Sequence, residues 1–261
     1  MGNQFQTLDR QIETLQEHGL EIDVPNPNTV LYSKSNCFTG FSNAFRVTPG
    51  DVTTNFAPGT TMSFILELEQ KDHVLRILLL DALLQLENVV RERFAHEATS
   101  LYGVGAFYLV EDNYLEVFRK KSAFIDQLKT QIFDSKNQVI KGYRIKGEAV
   151  PFNIFAETLS FGQLAKMMNY MVDTQAARSV AASLSVQWES FTSQLKSFAS
   201  LRNRCAHNYQ LWNRLVTDQC PVRKTLLRYE VKFNPQGVYA PIVMLKEYMR
   251  LNLKDLGWPQ K

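Results

Sequence analysis

The stretch TMSFILELEQKDHVLRILLLDALLQLENVVRERFAH, Thr61 to His96, decides the fold class. Leu66, Leu75, Leu78, Leu79, Ala82, Leu83, Leu86, Val89, Val90 and Phe94 recur along it at helical spacing, almost without interruption. The apolar face they form is too wide for a helix lying on the surface. The stretch therefore predicts the central helix of the protein, either unbroken or as two helices with a break near Lys71. Glu87 and Arg91 stand on it four residues apart in the favourable order. An exposed pair of this kind adds about 0.2–0.5 kcal/mol. On so apolar a helix the pair has a second reading, that it reaches toward a functional site.

Working outward, the rest of the chain agrees with an all-α protein. Gly and Pro are scarce, Leu, Gln, Lys, Glu and Ala are common, and 45% apolar residues supply a core. Toward the N-terminus, Phe5, Leu8, Ile12 and Leu15 predict an amphipathic helix over 3–18, closed by Gly19. Residues 20–60 are punctuated by Pro25, Pro27, Pro49, Pro58, Gly40, Gly50 and Gly59. They predict one short helix near 28–35 in otherwise irregular chain, with Tyr32, Phe38, Phe41, Phe45 and Phe56 packing a core or stacking on bases. The chain thus reads as an N-terminal helix and irregular packing region, 1–60, and a helical domain, 61–261, in one compact unit.

Toward the C-terminus, Tyr114, Val117, Phe118, Phe124, Leu128 and Ile132 predict a helix over 113–133. Residues 134–152 are polar, with Lys136, Lys141, Arg144 and Lys146, and read as a loop or a short hairpin, either solvated or touching single-stranded RNA. Ser160 caps a helix opening at Phe161, Gly162 permits close packing against a neighbour, and Met167, Met168 and Met171 fill a core. Further helices are expected over 187–208, from Pro221 to Arg228, and over 238–253.

The net charge is only +3, too small to make the whole protein a nucleic-acid binder. Its distribution says more. Between Leu201 and Arg228 six basic residues (Arg202, Arg204, Arg214, Arg223, Lys224 and Arg228) face one acid, Asp218, so this segment carries +5 and the remainder about −2. Such a segment suits a phosphate-rich partner. Cys37, Cys205 and Cys220 are odd in number and lack metal-ligand spacing, so neither a disulfide framework nor a metal site is expected. Without a signal pattern or an apolar run of membrane length, the chain reads as soluble and cytoplasmic, with no membrane partner.

Inside the basic segment lies LRNRCAHNYQLWNR, Leu201 to Arg214, with three arginines, three asparagines and one histidine in fourteen residues. Arg202 and His207 are separated by four residues, and Asn203 follows the arginine. On a straight helix Asn203, His207 and Arg214 fall within roughly 60° of one another, while Arg202 lies about 140° from His207. A bend, the reach of the arginine, or a second copy of the segment from another subunit must bring Arg202 and His207 together.

The string resembles the end of the core in the HEPN superfamily. More narrowly it resembles the Abi-like abortive-infection branch (AbiD/AbiF type), through Leu201, Arg202, Asn203, Ala206, His207, Leu211, Trp212, Asn213 and Arg214. Two further segments carry the resemblance: Asp72, Arg76, Leu86, Glu87 and Arg91, and the NIFAETLSFGQLAKMMNYM run ending at Met171. Lys71 stands where members have an aromatic residue. Asn208 and Gln210 stand where many have a second histidine and a basic residue.

The resemblance implies a HEPN-like helical bundle and a metal-independent endoribonuclease of a prokaryotic abortive-infection, anti-phage or toxin system. His207 would move a proton, Arg202 would hold phosphate charge and Asn203 would position the phosphate or the imidazole. One histidine cannot easily act as both base and acid, so the resemblance further implies a homodimer with a composite cleft. Arg204, Asn208, Tyr209, Arg214, Arg223, Lys224 and Arg228 are candidate RNA contacts, with Glu87 and Arg91 in support and no cofactor. The alternatives are a non-cleaving protein bound to a small structured RNA, a buried Arg202–His207 network of purely structural value, and a protein–protein scaffold.

Overall fold

The computed structural model describes residues 6–216, 218–223, 234 and 236–252. Among these the secondary structure is helical, and β-type pairing is confined to isolated bridges such as Tyr114 with Met171. The α-helices are α1 (Leu8–Glu17), α2 (Pro27–Ser42), α3 (Met62–Tyr102), α4 (Lys121–Asp134), α5 (Gln138–Lys146), α6 (Phe152–Phe155), α7 (Phe161–Tyr170), α8 (Gln175–Ser183), α9 (Trp188–Ala206) and α10 (Tyr239–Asn252). The chain forms two compact units. One comprises residues 1–79 and 204–214; the other comprises 80–203 and 215–261. The divisions fall within α3 and α9.

The expected central helix is α3, 41 residues long and unbroken at Lys71. Its start is fixed twice over. Thr61 Oγ1 accepts from Phe64 N at 3.1 Å as an N-cap, and Asp23 accepts from both the backbone and the hydroxyl of Ser63. One expectation about α3 fails: its apolar residues are not all covered. Leu78 is 61% exposed, and Val74, Ile77 and Leu84 are exposed as well.

In the first unit, Leu20, Leu31, Phe38, Phe41, Phe56, Met62 and Ile65 form the core, with Phe45 and Trp212 packed against it. The aromatics of 20–60 therefore pack inward, as the first of the two readings had it, although Tyr32 is exposed. The helix expected near 28–35 is instead α2, which starts with Pro27 in its first turn and runs on to Ser42. It passes straight through Gly40, where a Cβ would sit 2.7 Å from Gln210 Oε1. The glycine admits a close neighbour here and does not break the helix.

In the second unit, Leu83, Leu86, Val90, Phe94, Phe152, Phe155, Leu164, Met167, Met168, Phe191, Leu195 and Phe198 are buried. The three methionines 167, 168 and 171 are core residues, as expected. Ser160 caps α7 in a reciprocal box: Gln163 N donates to Ser160 Oγ, and Ser160 N donates to Gln163 Oε1 at 2.9 Å. Gly162, by contrast, has nothing within 4 Å of where a Cβ would stand, so the close packing expected there is absent.

The helix expected over 113–133 begins only at Lys121. Tyr114 is extended and bridges Met171, with Leu115 N donating to Tyr170 O and Val172 N to Asn113 O. The helical spacing of Tyr114 is met by burial beside that bridge. Residues 134–152, read as a loop or hairpin, contain α5. Asn137 caps it and Gly147 closes it in the left-handed region at φ 68°, while a single buried Ile140 anchors it. The alanine-rich α8, with Ala176, Ala177, Val180 and Ala181 buried, went unpredicted. Residues 221–223 are not helical, and the rest of the helix expected from Pro221 to Arg228 lies outside the described residues.

Candidate functional site

Helix α9 carries Arg202 and Asn203 in its final turns and ends at Ala206, so His207 stands one residue beyond it. The end of the helix follows from the backbone. Asn208 adopts φ 58°, its N–H donates to Cys205 O, and Tyr209 N donates to Arg204 O at 2.8 Å. These two bonds, crossing in the left-handed turn, form a Schellman motif with His207 as the C-cap and Asn208 as the left-handed residue. Asparagine tolerates this conformation better than any other side-chain-bearing residue. Arg214 therefore does not share a helical face with Asn203 and His207. His207 is exposed, and its ring lies 6.0 Å from that of Tyr209, which is 61% exposed.

In the second unit, Arg202 is held by Glu87 of α3. Arg202 Nε lies 3.1 Å from Glu87 Oε2, too oblique for a hydrogen bond but close as an ion pair, and Arg202 Nη1 donates to Asn203 Oδ1 at 3.1 Å. The other oxygen of Glu87 accepts from Arg91 Nη2 at 2.5 Å. Arg91 is anchored in turn by Leu159 O at 3.1 Å and Asn88 Oδ1 at 2.6 Å. The side chain of Glu87 is 3% exposed and that of Arg202 26%. A carboxylate so buried requires its cations. Glu87 therefore fixes the orientation of Arg202 and is itself held by Arg91.

In the first unit, the segment after His207 is held by Asp72. Its carboxylate accepts from Leu211 N at 3.2 Å and Trp212 N at 2.7 Å, and pairs with Arg76 one turn along α3. Trp212 stacks on Phe45, ring centres 5.5 Å apart. Asn213 is left-handed at φ 52°, and Arg214 Nη2 donates to Gln210 Oε1 at 3.1 Å. The Leu211–Arg214 half of the string is therefore a packed, clamped turn. Arg214 remains exposed.

The other candidates are scattered. Arg204 is half-buried. Arg223 is tied to the second unit, donating to Ser185 O at 2.7 Å and lying 4.0 Å from Glu247. Lys224 and Arg228 fall outside the described residues. Burial pushes the Cys205 thiol up to about 11 and the Cys220 thiol up to about 12, so both are protonated at neutral pH and are poor nucleophiles. Among the described residues no helix is long and apolar enough to cross a membrane.

Sequence reasoning offered Glu87 and Arg91 in support of the site without naming their partner, and it missed Asp72 as an anchor and the cleft beside Asn203, lined from α4, α7 and α9. The anchors pair with residues more than a hundred positions away, which no local spacing reveals.

No curated protein and no solved structure gives a significant match to the chain. One family does: that described as Abi-like protein matches residues 32–213, more than half of the sequence and inclusive of Asp72, Glu87, Arg202, His207 and Trp212. The chain belongs to the Abi-like protein family.

Proposed function

We propose that this protein is a HEPN-type, metal-independent endoribonuclease of an abortive-infection or toxin system. The observation that carries the reading is an arginine fixed by a buried carboxylate, Arg202 on Glu87, five residues before an exposed histidine at a helix end. In the proposed step the 2′-hydroxyl oxygen of RNA attacks the adjacent phosphorus. The new O2′–P bond closes a 2′,3′-cyclic phosphate, and the P–O5′ bond breaks. Charge on the non-bridging oxygens is met by Arg202, whose planar fork suits phosphate. The imidazole of His207 takes the proton from the 2′-hydroxyl or delivers one to O5′, a contribution of typically about 10²–10⁴-fold. The second proton carrier comes from the same histidine of a second copy, so a homodimer is part of the proposal. The exposed apolar residues Ile77 and Leu78 of α3 offer area for such an association.

The test is cleavage of a labelled RNA by wild type, His207→Ala and Arg202→Ala, with circular dichroism as the check of folding. We expect both variants to lose cleavage by 10²-fold or more. His207→Ala should keep its RNA affinity, whereas Arg202→Ala should lose affinity as well. Wild-type products should end in 2′,3′-cyclic phosphate, and EDTA should change nothing. Cleavage that survives in His207→Ala, or requires added Mg²⁺, would overturn the reading.

A non-cleaving RNA-binding role is favoured by one observation. Asn208 serves the backbone turn and Gln210 bonds Trp212 O at 2.9 Å, so neither replaces the missing second proton carrier within one chain. This reading predicts tight RNA binding by wild type, no cleavage, and no effect of removing His207.

A further inference from the structure

The second unit contains an open cleft of about 790 Å³ whose wall includes Asn203. Its volume falls within the range of small-ligand sites, about 300–1,000 Å³. Its chemistry is unlike theirs. Four cations line it, Arg119, Lys120, Lys166 and Lys196, against one acid, Asp218.

None of the four cations is ion-paired among the described residues. Exposed cations elsewhere commonly are: Arg10 with Glu13 and Glu17, Lys71 with Glu67, Arg250 with Glu247. Two of the cleft's lysines are held against aromatic faces instead. Lys196 Nζ lies 4.9 Å from the centre of the Tyr170 ring and donates to its hydroxyl at 3.4 Å, and Lys166 Nζ lies 5.9 Å from the centre of the Phe124 ring. A cation–π contact orients an ammonium without neutralising it. Four cations against one acid around one concavity repel one another and are relieved by a polyanion.

The aromatics themselves are not free to stack on bases. Tyr170 stacks on Phe118 at 4.3 Å on one side, with Lys196 over the ring, and Phe124 is buried. The cleft therefore offers charge to phosphates and little to base edges.

We infer that this cleft seats the phosphate backbone of a single-stranded RNA segment, without sequence preference, and leads it to Asn203. Asn203 accepts the Arg202 hydrogen bond, so the strand's path ends at the anchored arginine. The inference rests on RNA being the polymer this protein handles, but not on its being cut.

The experiment uses the full chain and a fluorescein-labelled oligoribonucleotide of mixed sequence, 2′-O-methylated so that no nucleophile exists and binding is read apart from cleavage. Lys166→Gln/Lys196→Gln should weaken binding about tenfold or more. It should also lower the slope of log affinity against log salt by about 1.4, since each phosphate neutralised on a single strand contributes about 0.7. Lys71→Gln/Lys129→Gln, equal in charge but outside the cleft, should change neither. Lys196→Arg, which keeps the charge, should retain affinity, and melting curves should show all variants folded.

The inference is overturned if the double variant keeps wild-type affinity and salt slope, if wild type does not bind the probe, or if polyglutamate competes as well as unlabelled RNA of equal charge. The ribonuclease reading is judged separately, on unmodified RNA. Cleavage by wild type with unchanged binding in the double variant removes the cleft and spares the nuclease. Cleft-dependent binding without cleavage does the reverse.

Discussion

Asp72 and Glu87 stand on the same long helix, and each is followed four residues later by an arginine, Arg76 and Arg91. By spacing alone the two pairs are equivalent and of little consequence. Both carboxylates are buried, and each has recruited a third partner from the Leu201–Arg214 string. Asp72 takes two backbone N–H groups, at Leu211 and Trp212; Glu87 takes a side chain, Arg202. The difference separates two jobs. A carboxylate clamped on backbone amides fixes where a chain turns, whatever side chains it carries. A carboxylate clamped on a guanidinium that is still a quarter exposed fixes the orientation of a group that can meet a ligand.

The hardest way to break this comparison is to remove Asp72. Asp72→Ala leaves Arg76 buried without its countercharge and releases the two amides of the turn. Arg76 Nε and Nη2 have no hydrogen-bond partner among the described residues, so Asp72 is the arginine's one charged contact there. Breaking a buried pair by deleting one partner costs about 3–5 kcal/mol, which lowers the melting temperature by roughly 6–20 °C for a chain of this size. A calorimetric scan checks this. A loss under about 1 kcal/mol would show that the clamp is not what holds the turn.

Glu87→Gln sharpens the contrast. The amide keeps the shape of the side chain but surrenders its charge, and Arg202 can turn toward solvent while Arg91 keeps Leu159 O. The expected stability loss is smaller, about 1–3 kcal/mol. RNA cleavage should fall by on the order of 10²-fold, because a displaced arginine no longer meets the phosphate where charge develops. The informative readout is the split, with kcat falling more than affinity. If cleavage holds while stability drops, Glu87 is a second Asp72 and its arginine partner has no special role.

What was legible in the sequence follows the same division. Periodicity announced α3 and α9 because each buries a long apolar stripe, and Ser160 announced α7 because a capping residue stands directly before its helix. Periodicity misled at Tyr114, whose burial is satisfied by a bridge to Met171, and polarity hid α5, a helix anchored by one buried isoleucine. The string from Leu201 to Arg214 stood out, but its division into an arginine on an anchor, a histidine at a cap and a clamped turn did not. That division depends on Glu87 and Asp72, each far away in the chain. The cationic cleft was invisible for a similar reason: Lys166 and Lys196 lie on different helices, and neither sits in a charge run.

The smallest effect concerns Asn208, which looked like a departure from a second histidine and was placed among the RNA contacts. Its φ of 58° gives it a backbone task, closing α9 so that His207 caps the helix. Replacing it with alanine forces a Cβ-bearing residue without asparagine's local hydrogen bonding into the left-handed region, at a cost of about 1 kcal/mol. Glycine adopts that region freely, so Asn208→Gly should be neutral to within about 0.5 kcal/mol. Chemical denaturation of the three proteins at one pH resolves differences of this size when the midpoints are compared. The two variants also separate backbone from side chain in function. If Asn208 serves only the turn, Asn208→Gly should cleave and bind RNA like wild type, while Asn208→Ala loses a little of both as the cap loosens. A glycine variant as stable as wild type but about tenfold weaker for RNA would show instead that the amide itself touches the strand.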